Sequence, residues 1–115
     1  MELEDLKQNG IDIEDGLKRF MGNRQLYKRC LAGFLTDENY VEFVKSASAG
    51  DWAKAFEHAH ALKGLSGNLS MKELYSTFCE LSEKLRPKTA VEIKDLAEKA
   101  EADYKAIVEA IKSLD

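Results

Sequence analysis

The segment His58-Ala59-His60-Ala61-Leu62-Lys63-Gly64-Leu65-Ser66-Gly67-Asn68-Leu69 carries the side chains of this sequence best suited to chemistry. An imidazole is a competent nucleophile and proton carrier near neutral pH. On a helix, residues three, four and seven apart share one face. Counted from His60 those positions are Lys63, Gly64 and Gly67, and Phe56 lies one turn earlier. One face therefore presents an imidazole, an ammonium and nearly bare backbone, flanked by an aromatic ring. The apolar positions through Ala59 and Leu62 lie about 100–160° round the helix, so His60 is expected at the surface. This set suits a phosphoryl acceptor. His60 would be the nucleophile, Lys63 would stabilise the phosphoryl oxygens, and Phe56, Gly64 and Gly67 would belong to a docking surface. Phosphoryl transfer depends mainly on positioning and charge stabilisation, so a metal and a second nucleophile can come from a partner.

Competing chemistry is weakly supported. His58 precedes His60 by two residues and points about 200° away, whereas helical ligand pairs need three or four residues of separation. Glu57, three before His60, could orient the imidazole or simply be a solvated carboxylate. Glu57 to His60 is also the only Glu-x-x-His spacing, and a di-metal helical bundle needs two such pairs with further glutamates. Nucleotide-binding glycine loops and the zinc-protease pattern His-Glu-x-x-His are absent. Cys30 and Cys79 stand apart without metal spacing and read as reduced core thiols of a cytoplasmic protein.

The elements that must position these residues read as helices. The chain has 115 residues, 44% hydrophobic and 33% charged, with a single proline, Pro87. That is one globular domain, residues 1–115. A net charge of −4 argues against nucleic acid as a partner. No apolar run reaches the roughly 18 residues a membrane span requires, and the acidic start Met1-Glu2-Leu3-Glu4-Asp5 does not read as a signal peptide. A cytoplasmic monomer is expected.

Apolar residues follow a helical period almost throughout. A short helix is expected after Asp12, with Ile13, Leu17, Phe20 and Met21 inward and Gly22 as its stop. A second runs over about 24–48 after Asn23, with a stripe of Leu26, Tyr27, Cys30, Leu31, Phe34, Tyr40, Val41, Val44 and Ala47. The pair Thr36-Asp37 should kink it or divide it into two collinear pieces, and Gly50 should end it. A third follows Asp51, with Trp52, Ala55, Phe56, Ala59, Leu62, Leu65 and Leu69 as its core stripe. A fourth starts near Ser70, includes Tyr75, and stops at Pro87. A fifth spans about 89–114. The expected fold is all-α: an up-down four-helix bundle over about 23–114 with a short additional N-terminal helix.

The run His60-Ala61-Leu62-Lys63-Gly64-Leu65-Ser66-Gly67-Asn68-Leu69 resembles the signature of histidine phosphotransfer (HPt) domains, in which histidine, any residue, leucine, lysine and glycine precede small residues and then Asn-Leu-Gly. Gly50-Asp51-Trp52, Met71-Lys72-Glu73-Leu74 and the segment from Gly10 to Phe20 are similar to the family as well, so the resemblance covers about residues 10–86. It implies a phosphoryl group carried on Nε2 of His60 and exchanged with an aspartate of a response-regulator receiver domain. Lys63 would steady the phosphoryl group and Gly64 would keep the histidine accessible. The receiver would bring Mg²⁺; the chain would have no cofactor, no nucleotide site and no kinase activity of its own. Its other partner would be a sensor or hybrid histidine kinase. Leu65 and Ser70 depart from the pattern, which more often has a small residue and a glycine there. The alternative is a helical docking module that binds a receiver or another signalling protein without phosphoryl chemistry.

Overall fold

Short polar side chains decide where the helices begin. Asp12 Oδ1 accepts from the Asp15 amide at 3.1 Å, Asn23 Oδ1 from the Leu26 amide at 3.0 Å, and Asp51 Oδ1 from the Lys54 amide at 3.2 Å. Each satisfies a donor that the first helical turn leaves unpaired. In the computed structural model, which describes residues 1–115, a 3₁₀ helix over Leu3–Asn9 is followed by α1 (Ile13–Arg19), α2 (Arg24–Phe34), α3 (Asn39–Ser48), α4 (Trp52–Asn68), α5 (Lys72–Leu85) and α6 (Lys94–Lys112). Gly22 and Gly50 take left-handed backbone, φ 76° and 71°, just beyond α1 and α3, a conformation in which glycine carries no Cβ penalty.

The fold is all-helical, with no strand. Its most extensive packing runs α3 on α4, α4 on α5, and α5 on α6. The 3₁₀ helix lies against α6, and α2 packs against both α1 and α6. The molecule is elongated, 42 × 23 × 21 Å. Tyr27, Leu31, Phe34, Phe43, Leu62, Leu74 and Phe78 are fully enclosed in one continuous core. Phe43 meets Phe78 edge-on at 5.3 Å between centroids, an orientation that aromatic quadrupoles favour. No helix is long and apolar enough to cross a membrane.

The break at Thr36-Asp37 divides the 24–48 stretch into α2 and α3. The Thr36 hydroxyl donates back to the Gly33 carbonyl at 3.1 Å, and Asp37 Oδ1 accepts from the Asn39 amide at 2.9 Å. Beyond the break the inward face changes. Phe43 is buried, while Val41 and Val44, expected inward, are 49% and 41% exposed. Leu26 and Tyr75 are also partly exposed, and Met21, expected inward on α1, is 94% exposed in the turn after it.

The last helix starts at Lys94 rather than near Thr89. After Pro87, Lys88 takes left-handed backbone, φ 60°, and the amide of Lys94 donates to the Glu92 carboxylate at 3.0 Å. Ser70 does not cap α5. It has φ 59°, Met71 occupies the cap position, and the Ser70 hydroxyl donates to Asp15 Oδ2 at 2.7 Å. The N-terminal 3₁₀ helix has no counterpart in the periodicity reading, although Leu3 and Leu6 are fully buried.

Candidate functional site

His60 sits in the middle of α4 with its side chain exposed and without a hydrogen bond to protein. The Phe56 ring lies against the imidazole, 5.9 Å between centroids and 25° between planes. Phe56 is half-buried, and the Arg86 guanidinium and Lys88 ammonium stand 5.7 and 5.4 Å from its centroid. Cations over an aromatic face are held by the ring quadrupole, so the turn after α5 is drawn toward the histidine's flank. Glu57 makes no hydrogen bond to His60. His58 belongs elsewhere: its Nδ1 is 3.0 Å from Asn39 Oδ1, joining α4 to α3.

Toward the C-terminal end of α4, the imidazole borders an open cleft of about 350 Å³. Lys63, Gly64, Gly67 and Asn68 line it from α4, Lys72 and Tyr75 from α5, Ser70 and Met71 from the turn between them, and Arg19 from α1. The expected grouping of His60, Lys63, Gly64 and Gly67 on one wall is found, with Phe56 on the other side of the imidazole. Lys63 has no ion-pair partner. The two glycines differ. A Cβ on Gly64 would meet nothing within 4 Å, so that surface is bare. A Cβ on Gly67 would stand 3.0 Å from the Tyr75 ring. Gly67 is where the Tyr75 ring seats, at the lining of the cleft.

The cleft's far wall is held by one carboxylate. Asp15 Oδ2 accepts from Arg19 Nε at 2.9 Å and from the Ser70 hydroxyl at 2.7 Å, and lies 3.6 Å from the Lys72 ammonium. The Arg19 and Ser70 hydrogen bonds, with the nearby charge of Lys72, pull the Asp15 carboxyl down to about 2, so it is ionised at any ordinary pH. The preceding residues are pinned to the same turn. The Asp12 amide donates to the Ser70 carbonyl at 2.8 Å, and Ile11 forms an isolated antiparallel bridge with Met71.

In comparisons with known proteins, no family model, no curated protein and no solved structure matches the chain.

Sequence reasoning missed Arg19, Lys72, Asp15 and Tyr75, and the cations over Phe56. None shares a helix face with His60, so no local spacing signals them; only the packing of α1 and α5 beside α4 brings them in. The sequence carries traces of them only in the stretches from Gly10 to Phe20 and from Met71 to Leu74, which resemble the family without signalling a place at the cleft, and in Ser70, whose hydroxyl bonds Asp15.

Gly64 provides a direct check on whether bareness matters. In an exposed helical position, Gly→Ala stabilises by about 0.5–1 kcal/mol. With open space around its Cβ, Gly64→Ala should melt a few degrees higher than the wild type, measured by thermal denaturation.

Proposed function

We propose that this protein is a phosphoryl carrier of the histidine phosphotransfer type, exchanging a phosphoryl group between His60 and an aspartate on a response-regulator receiver domain. On this reading the helices over about 23–114 form an up-down four-helix bundle, with α1 packed on it. The observation that carries the reading is the solvent-exposed His60 side chain beside an unpaired Lys63 and the open surface of Gly64. The lone pair of Nε2 attacks phosphorus, the P–O bond of the partner's acyl phosphate breaks, and the carboxylate leaves with the electron pair. The reverse step discharges the imidazole. Lys63, one turn from His60, supplies the positive charge for the phosphoryl oxygens. The resemblance of residues 60–69 to the family's signature supports the same reading.

The test is label transfer to the purified protein from a panel of phosphorylated receiver domains. The expected product is acid-labile and base-stable, as an N–P bond requires. Binding of a receiver without any transfer would favour the docking module instead.

A further inference from the structure

The chain is acidic overall, at net −4, yet the cleft beside His60 is cationic. Lys63, Arg19 and Lys72 line it from three different helices and no carboxylate lines it; Asp15 stands beside Arg19 and Lys72, and the Glu83 carboxylate is near enough to feel the charge of Lys63. Their donors are not used up. Arg19 bonds Asp15 only through Nε, which leaves both of its terminal nitrogens free at the cleft. Lys72 stands 3.6 Å from Asp15, an ion pair without a hydrogen bond, and Lys63 has no ion-pair partner. Asp15 therefore aims the guanidinium and offsets one of the two positive charges of Arg19 and Lys72, leaving the wall cationic. A planar fork of free N–H groups fits a carboxylate with two parallel hydrogen bonds.

Resting on the phosphocarrier reading, we propose that Arg19 and Lys72 form a partner-selecting wall for a protein face that carries carboxylates beside its own phosphoryl-bearing residue. The wall acts on encounter and orientation. His60 and Lys63 carry out the chemistry. Charges of this kind mainly change association rates and their dependence on salt. A partner with a neutral or basic rim is rejected, because it would leave these cations facing no counter-charge.

The experiment compares wild type, the double variant Arg19→Glu/Lys72→Glu and the milder Arg19→Gln/Lys72→Gln, with two phosphoryl sources: the phosphorylated receiver panel and the small donor phosphoramidate. Phosphoramidate reports His60 reactivity without docking, and thermal melting reports the fold. The expected result is a roughly tenfold to hundredfold slower transfer from the cognate receiver in the Glu variant, and a smaller loss in the Gln variant. Phosphoramidate should still label His60 in both variants, with a loss much smaller than that seen with the receiver, and the wild type's salt dependence should flatten in both variants. Receiver transfer in both variants at the wild-type rate and low salt would overturn the proposal while leaving the phosphocarrier reading intact. A wild type labelled by no receiver would overturn the receiver reading and this proposal with it, with phosphoramidate labelling then showing whether His60 is still reactive.

Discussion

His60→Gln is expected to take no label from any receiver while folding as the wild type does. The two halves of that result have separate causes. Glutamine keeps the side chain's length and polarity but has no nucleophilic nitrogen, because its amide lone pair is delocalised into the carbonyl. The acceptor is thus removed rather than weakened, and no neighbour can replace it: His58 is held to Asn39. The fold has little to lose. His60 is exposed and its one notable contact is the Phe56 ring, and aromatic stacking of this kind contributes about 0.5–1.5 kcal/mol. A melting temperature within a few degrees of wild type, together with absent label, is the signature of a lost acceptor. Label persisting on the variant would move the acceptor elsewhere. Lys63→Ala should act differently, slowing transfer by about tenfold or more without abolishing it, since it removes charge stabilisation and leaves the nucleophile.

Gly16→Ala carries the largest expected stability effect, for a reason invisible in helix propensity. Alanine in α1 should gain about 1 kcal/mol over glycine. The new methyl, however, would overlap the hydroxyl and adjoining ring carbon of Tyr27. Tyr27 cannot yield readily. It is fully buried, its ring lies 5.1 Å from that of Phe20, and its hydroxyl donates to the Leu69 carbonyl at 2.8 Å. Burial, with the nearby carboxylates Asp12 and Asp15, pushes the phenol well above its usual range and keeps that donor protonated. Overpacking a fixed core typically costs about 1–3 kcal/mol or more, which outweighs the propensity gain. Gly16→Ala should therefore be net destabilised by about 2 kcal/mol, read from denaturant unfolding at constant m-value. In a Tyr27→Phe background the nearest clashing atom is gone, so the penalty should shrink, and the two changes should be non-additive. Equal penalties in both backgrounds would rule out the overlap as the cause.

The parts of the fold that were legible are those with local causes. Asp12, Asn23 and Asp51 announce helix starts because capping is a contact between a residue and one three positions on. Pro87 and Gly50 announce stops for equally local reasons. The inward face of α3 was not legible. A single helical phase carried from Phe34 puts Val41 and Val44 inside, but the turn at Thr36-Asp37 resets the rotation and turns Phe43 inward instead. Buried hydroxyls were missed for another reason. Ser46, Ser66 and Thr77 satisfy themselves on carbonyls one turn back, at 2.6, 2.6 and 3.2 Å, so they enter the core while reading as polar. Leu3 and Leu6 form too short a pattern to register. In the site, the wall on α4 was legible because its residues share one helix. The wall of Arg19 and Lys72 was not, because it exists only once distant segments meet.

That meeting has a kinetic consequence. The packing of α3 on α4 and of α4 on α5 joins neighbours in sequence and requires only short loops to close. The bridge between Ile11 and Met71, and the bond from Asp12 to Ser70, join residues about sixty positions apart. Such a closure must be preceded by the hairpin that displays Ser70 and Met71, and its loop entropy is recovered only after that hairpin stands. The imidazole and its lysine thus depend on short-range closures alone, whereas the segment that carries Arg19 reaches the cleft only through a long-range one.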